Sequence, residues 1–249
     1  MSSITFAGKS LLASLLVVGS VQAQIVGPEL PAPDAKPPGQ VATPTSMPVD
    51  QSSPQGTLKL FSQAMVSGDV ESIRSILLAE TDAERKIAGV LADRAGAVAR
   101  LQKASARFPG QESQAQNTAT ALAAAHERID ASQVILNGPT ATVNVSSNDP
   151  GVPGQQMTMK QVDGQWRIPM SGVAPTDATA AEIDQRVAVA SIETIAIGEI
   201  ATEINDGKYT AMDEAAQAMQ GKVMTAMAKR QADAQAKTTT QPTTAPMTP

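Results

Sequence analysis

The spacing of apolar residues changes twice along this chain, and that change constrains the fold more than any other feature. As far as about residue 128 they recur at helical intervals, from 133 to 170 they alternate with polar residues, and after Pro175 the helical interval returns. A chain whose strands are gathered between two helical blocks is expected to be α+β, with an antiparallel sheet covered by helices.

Within the first block, Ser53-Pro54 offers an N-cap followed by proline in a first turn, and Leu58, Phe61 and Met65 stripe one face. Gly68 is expected to end that helix and Asp69 to cap a second, which buries Ile73, Ile76 and Leu77. A third helix is expected from about Asp82 to Phe108 with Ile87, Leu91, Val98 and Leu101 on one face, stopped by Pro109-Gly110. Ser113 to Arg128 reads as an alanine-rich fourth helix. In the alternating block, Val134 and Leu136 lead to a turn at Asn137-Gly138-Pro139, followed by Ala141, Val143 and Val145. Asp163-Gly164 is a two-residue hairpin turn that pairs Val162 with Gln165, Gln161 with Trp166, Met159 with Ile168 and Met157 with Met170. One face then carries Met157, Met159, Trp166, Ile168 and Met170, and the other, solvated face carries Thr158, Lys160, Gln165 and Arg167. The last block predicts two long helices joined at Asn205-Asp206-Gly207, packed as an antiparallel hairpin.

The flanks read differently. Lys9, the apolar run Leu11–Val18 and the small-residue site Val21-Gln22-Ala23 have the order of a secretory signal peptide over residues 1–23. Export to the periplasm or the cell exterior is the expectation, with Gln24 the first mature residue. No other stretch approaches the ~20 continuous apolar residues of a spanning helix. Eight of the 17 prolines lie between Gln24 and Pro54 and three follow Gln241, so residues 24–53 are expected to be a disordered linker and 234–249 a disordered tail. An α+β domain over 54–175 and a helical hairpin over 176–233 lie between them. With no cysteine, disulfides and a lipid-modified cysteine are excluded. Cleavage after Ala23 leaves 18 bases against 24 acids, a balance that argues against nucleic acid as a partner. Charge is also uneven: residues 82–107 hold six bases and three acids, while 177–214 hold nine acids and two bases. The acidic helix either docks on the basic one, in this chain or another, or both simply face solvent.

The opening "SPQGTLKLFSQAMVSGDVESIRSIL", taken with "QVILNGPTATVNV" and "MTMKQVDGQWRI", resembles the nuclear transport factor 2-like, or SnoaL-like, superfamily, especially its exported bacterial members. The likeness covers roughly residues 54–80 and 131–170. It implies a strongly bent sheet wrapped around helices as a cone, open at one end to a pocket. It implies little about chemistry, because the superfamily includes isomerases, dehydratases, hydrolases and polyketide cyclases beside many binding and scaffold domains.

Catalytic relatives place Asp, His or Tyr within the cone, and here that supply is poor. His126 is the only histidine, in "AAAHERID"; it is either a general base oriented by a nearby acid or a cation at a helix end. Trp166, Met159 and Phe61 either line a pocket or fill the core. Met212, Met219, Met224 and Met227 on the last helix are core or dimer packing, an adaptable groove for a partner helix, or a soft-metal site. No zinc spacing, phosphate loop or EF-hand pattern is present, so neither metal nor cofactor is expected. The first expectation for function is an exported, non-enzymatic binding or assembly module for a protein or small apolar ligand. The alternatives are a proton-transfer enzyme of the isomerase or dehydratase type using the cone, and a homo-oligomer built through the C-terminal helices.

Overall fold

The structure is a computed structural model that describes residues 49–109, 112–147, 154–172 and 178–239. The signal-peptide segment, the proline-rich segment up to residue 48 and the tail from residue 240 lie outside the described residues. Six α-helices and a five-stranded, open mixed sheet make up an α+β fold among them. No helix among the described residues is long and apolar enough to cross a membrane.

Local chemistry explains the element boundaries. Helix α1 (Pro54–Ser67) starts where the Ser53 hydroxyl accepts from Gly56 N and ends at Gly68, whose φ of 71° is the left-handed conformation glycine adopts without strain. Helix α2 (Val70–Ile76) is capped by the Asp69 carboxylate. Helix α3 (Asp82–Ser105) opens with a reciprocal capping box between Thr81 and Glu84, and α5 (Ala180–Asn205) opens with another between Thr179 and Glu182. Helix α4 is Glu112–Asp130 and α6 is Met212–Thr239. Helix α6 therefore runs past residue 233, where the tail was expected to start, and Tyr209 sits in the connection before it.

Strands β2 (Gln133–Asn137), β3 (Thr140–Val145), β4 (Gln155–Val162) and β5 (Gln165–Pro169) form an antiparallel meander. The expected pairs Val162–Gln165 and Gln161–Trp166 are present, and the turn between them has positive φ at both Asp163 and Gly164. The purely antiparallel expectation needs correction. Leu77 and Leu78, expected to continue α2, form a short strand β1 that pairs in parallel with Ile168 and Pro169. Two residues are too few to carry an alternation signal. The segment just before Pro54 contacts the sheet: the Trp166 N–H donates to the Gln51 carbonyl at 2.9 Å.

The main core joins α1, α2 and α3 to one face of the sheet through Leu58, Phe61, Ile73, Ile76, Val143, Met159, Trp166 and Ile168. On α3 the alanines Ala88, Ala92, Ala95, Ala97 and Ala104 are buried, while the expected stripe of Ile87, Leu91, Val98 and Leu101 is half-buried. The helix has neighbours on two sides, so small residues occupy the lines of closest approach and the larger ones flank them. Of the expected solvated sheet face, Thr158 and Gln165 are exposed, whereas Lys160 and Arg167 are half-buried and Lys160 pairs with Glu80 at 2.8 Å.

Candidate functional site

Phe61, Met159 and Trp166 all belong to the buried core, at 3, 0 and 5 % exposure. The Trp166 carbonyl accepts from Gln51 Nε2 at 3.4 Å, which ties β5 to the segment just before α1. His126 lies elsewhere, between α4 and α1, with Nε2 3.2 Å from the Ser62 hydroxyl. That spacing fits a nucleophile beside a base, but the Ser62 hydroxyl already donates to the Lys59 carbonyl at 2.9 Å. The imidazole N–H is therefore the donor to Ser62, a tautomer assigned from the hydrogen-bond network. The acid one turn beyond His126 is also engaged: Asp130 pairs with the buried Lys59 ammonium at 2.6 Å. Together these four side chains make a polar lock between two helices.

The C-terminal helices provide a different surface. Helix α5 runs parallel to α3, with Lys86 on Asp184 at 2.6 Å and Arg94 on Glu193 at 3.0 Å. At the far end Arg107 donates to the carbonyls of Ile204 and Asn205, satisfying acceptors that the end of α5 leaves open. The acidic helix thus docks on the basic one within this chain. Helix α6 packs along α5: Lys222 reaches Glu199 at 2.6 Å, and Arg230 donates to the Gln185 carbonyl at 3.4 Å. Where α5 and α6 meet α3, a second core forms from Ala104, Phe108, Ile200, Ala201, Ile204 and Ala215.

Glu203 fastens the connection between α5 and α6. It accepts from Lys208 Nζ and the Tyr209 hydroxyl, each at 2.5 Å, and lies 3.4 Å from Lys222. Those donors, Lys208 first and Tyr209 second, hold its carboxyl down to about 2, and the same contact raises both donors.

Beyond the second core the seam between α5 and α6 opens into two clefts. One, of about 410 Å³, is lined by Ile197, Met219, Val223 and Met224, with Arg94, Glu193 and Gln220 also in its wall. The other, of about 560 Å³, is lined by Val189, Met227 and Ala234 together with Asp184, Gln185 and Arg230. On α6 their linings follow one another at helical spacing, so both open on one side of the seam. No family model, curated protein or solved structure matches this chain.

Met219 and Met224 line the first cleft and Met227 the second, so the three thioethers do not converge as a soft-metal site would require. Among the described residues, no group of three or more acidic or imidazole side chains is arranged to hold a metal ion. The seam was only partly legible in the sequence. The Met stripe pointed to α6, but the clefts depend on how α5 divides its surface between α3 and α6, which the spacing of its apolar residues leaves open.

Proposed function

We propose that this chain is an exported binding and assembly module whose working surface is the seam between α5 and α6, where an amphipathic helix docks. The observation that carries this reading is the pair of Met-lined clefts on the outside of the helical hairpin, of the size that receives side chains from a partner. Methionine suits such a surface because its thioether adapts to different shapes. The polar groups with chemical potential, His126, Ser62, Lys59 and Asp130, are instead spent on joining α1 to α4. Export rests on the order of charge, apolar run and small residues over 1–23. The superfamily resemblance is carried into this reading on its three motifs, with α5 and α6 as an addition to that architecture.

An environment-sensitive apolar dye tests the seam. Dilute wild-type protein should enhance its fluorescence, and Val223→Glu combined with Met227→Glu should abolish the enhancement while far-UV ellipticity stays unchanged. Equal enhancement in both proteins would remove the seam as the binding surface. For export, the chain expressed in a bacterium should be recovered from the periplasm or medium beginning at Gln24 by mass spectrometry; cytoplasmic protein retaining residue 1 would contradict it.

A further inference from the structure

We propose that the free edge of the sheet, strand β2, pairs antiparallel with β2 of a second copy across a two-fold axis at Ile135. This surface is separate from the seam, so the proposal goes beyond the binding reading and stands on other residues.

Strand β2 is last in the order β1-β5-β4-β3-β2, and among the described residues only β3 lies beside it in the sheet. A sheet edge is a template for another strand, and folded chains blunt it by shortness, charge, proline or a bulge. The opposite edge is blunted in this way, because β1 has two residues. Strand β2 uses none of these devices. Its five residues, Gln133-Val134-Ile135-Leu136-Asn137, carry no charge and no proline, and they pair with β3 in an unbroken register. Ile135 and Leu136 are adjacent large apolar side chains left 45 and 61 % exposed.

The register with β3 decides which backbone groups are free. The two-residue turn at Gly138-Pro139 makes Asn137 and Thr140 the hydrogen-bonded pair that closes the hairpin. The Gln161 N–H donating to the Pro139 carbonyl at 2.7 Å follows the same alternation on the other side of β3. Gln133 and Ile135 therefore bond to β3 as Asn137 does, while the N–H and C=O groups of Val134 and Leu136 point to the open edge. Antiparallel pairing centred on Ile135 sets Val134 opposite Leu136 of the other copy and satisfies every one of these groups.

The same register places Gln133 beside Asn137 of the other copy and Ile135 against its own mate. Read in either direction the strand is polar, then three apolar residues, then polar, which is the pattern a strand needs to meet itself. A charge at its centre would face a like charge across the axis, and none is there. Leu136 shares its sheet face with the buried Ala141 and Val143, yet it is open, so the helices do not cover this end of β2.

The experiment uses the chain from Gln24, the mature form proposed above. Sedimentation equilibrium should give a mass that rises from one chain toward two with concentration, since a single strand pair is a small interface. Hydrogen exchange followed by NMR should show the Val134 and Leu136 amides slowing as the dimer fills, with the Ile135 amide, bonded to β3, slow throughout. Ile135→Lys sets two ammonium groups at the axis and should weaken association about 10-fold or more. Leu136→Pro removes an outward N–H that the ladder with β3 does not use, and should weaken it further than Leu136→Ala, with far-UV spectra retained in both. Val223→Glu with Met227→Glu should leave the dimer as in wild type.

A monomer at all concentrations overturns the proposal: fast exchange at Val134 and Leu136 would mean an edge that stays open, and slow exchange an edge covered by the same chain. A dimer whose edge amides stay fast, or that Ile135→Lys leaves intact, pairs elsewhere and overturns it too. Equal loss in Leu136→Pro and Leu136→Ala would remove the backbone from the contact, and loss of the dimer in the Val223, Met227 variant would move the contact to the seam; either result overturns strand pairing. Dye binding at the seam is read on dilute protein and is independent of these outcomes.

Discussion

Lys59 is the residue whose environment departs furthest from what its chemistry prefers. Its side chain is 1 % exposed and its ammonium rests on Asp130, itself 13 % exposed, at 2.6 Å. Taking both charges out of water costs several kcal/mol, which their attraction roughly offsets, so the pair specifies how α1 meets α4 more than it stabilises the fold. Removing one partner takes the nearest counter-charge from a buried ion. Asp130→Ala should therefore cost about 3–5 kcal/mol in urea denaturation, and Lys59→Met with Asp130→Leu should recover most of that loss. A cost below about 1 kcal/mol for the single variant would mean that Lys59 escapes to solvent. Glu203 makes a pH-dependent prediction. Its carboxyl falls from 4.5 to about 2 in the folded chain, so its contribution is complete above 4.5 and is lost as pH drops through that window. The difference in urea midpoint between wild type and Glu203→Gln should stay constant from pH 7 to 5 and close toward pH 2.5. Of these features, only the acid near His126 was legible in the sequence. Lys59 carries no signal there, because its burial goes with a partner 71 positions away.

Between elements, the backbone approaches closely where the α1–α2 turn meets α3. A Cβ added to Gly68 would lie 2.5 Å from Ala99 Cβ and 3.0 Å from Gly96 Cα, and one added to Gly96 would lie 2.8 Å from Val70 Cγ2. Gly68→Ala combines left-handed backbone strain with this overlap and should cost about 2–4 kcal/mol in chemical denaturation. A neutral result would show that α3 can retreat from the turn. The sequence announces the turn itself through Gly68-Asp69, but not the second reason for glycine, since Gly96 and Ala99 come from another element. Boundaries with local chemistry were legible in the same way: Ser53, Asp69 and the Asp163-Gly164 turn each act through neighbours in the chain. Strand β1 was not, because Leu77 and Leu78 become a strand only by pairing with Ile168 and Pro169. The ion pairs between α3 and α5 were foreshadowed by opposite charge, yet they are exposed and contribute little to stability. What holds α5 on α3 is the second core, where Ala104 and Phe108 meet Ile200, Ala201 and Ile204, together with the Arg107 cap on the last carbonyls of α5.

At the scale of the whole molecule, α3 belongs to both cores. Ala88, Ala92 and Ala95 pack with the sheet, α1 and α2, and at the C-terminal end of the same helix Ala104, with Phe108 just beyond it, packs with α5 and α6. A helix shared in this way couples the two cores: unravelling its C-terminal turns exposes Phe108 and Ile200 together, and unravelling the rest opens the face of α2 that buries Ile73 and Ile76. The chain carries one tryptophan, and Trp166 reports the sheet core alone, while α5 and α6 contribute much of the far-UV helical signal. If α3 transmits stability between the cores, Trp166 fluorescence and ellipticity at 222 nm, the usual helical band, should follow one transition in urea with a common midpoint. Loss of ellipticity at a lower midpoint, with Trp166 still native, would show that α5 and α6 unfold as a separate unit and that α3 survives without them. The sign of that result also bears on the seam. A C-terminal pair that melted early would need its partner to be ordered, whereas one coupled through α3 presents its Met-lined clefts on a rigid base.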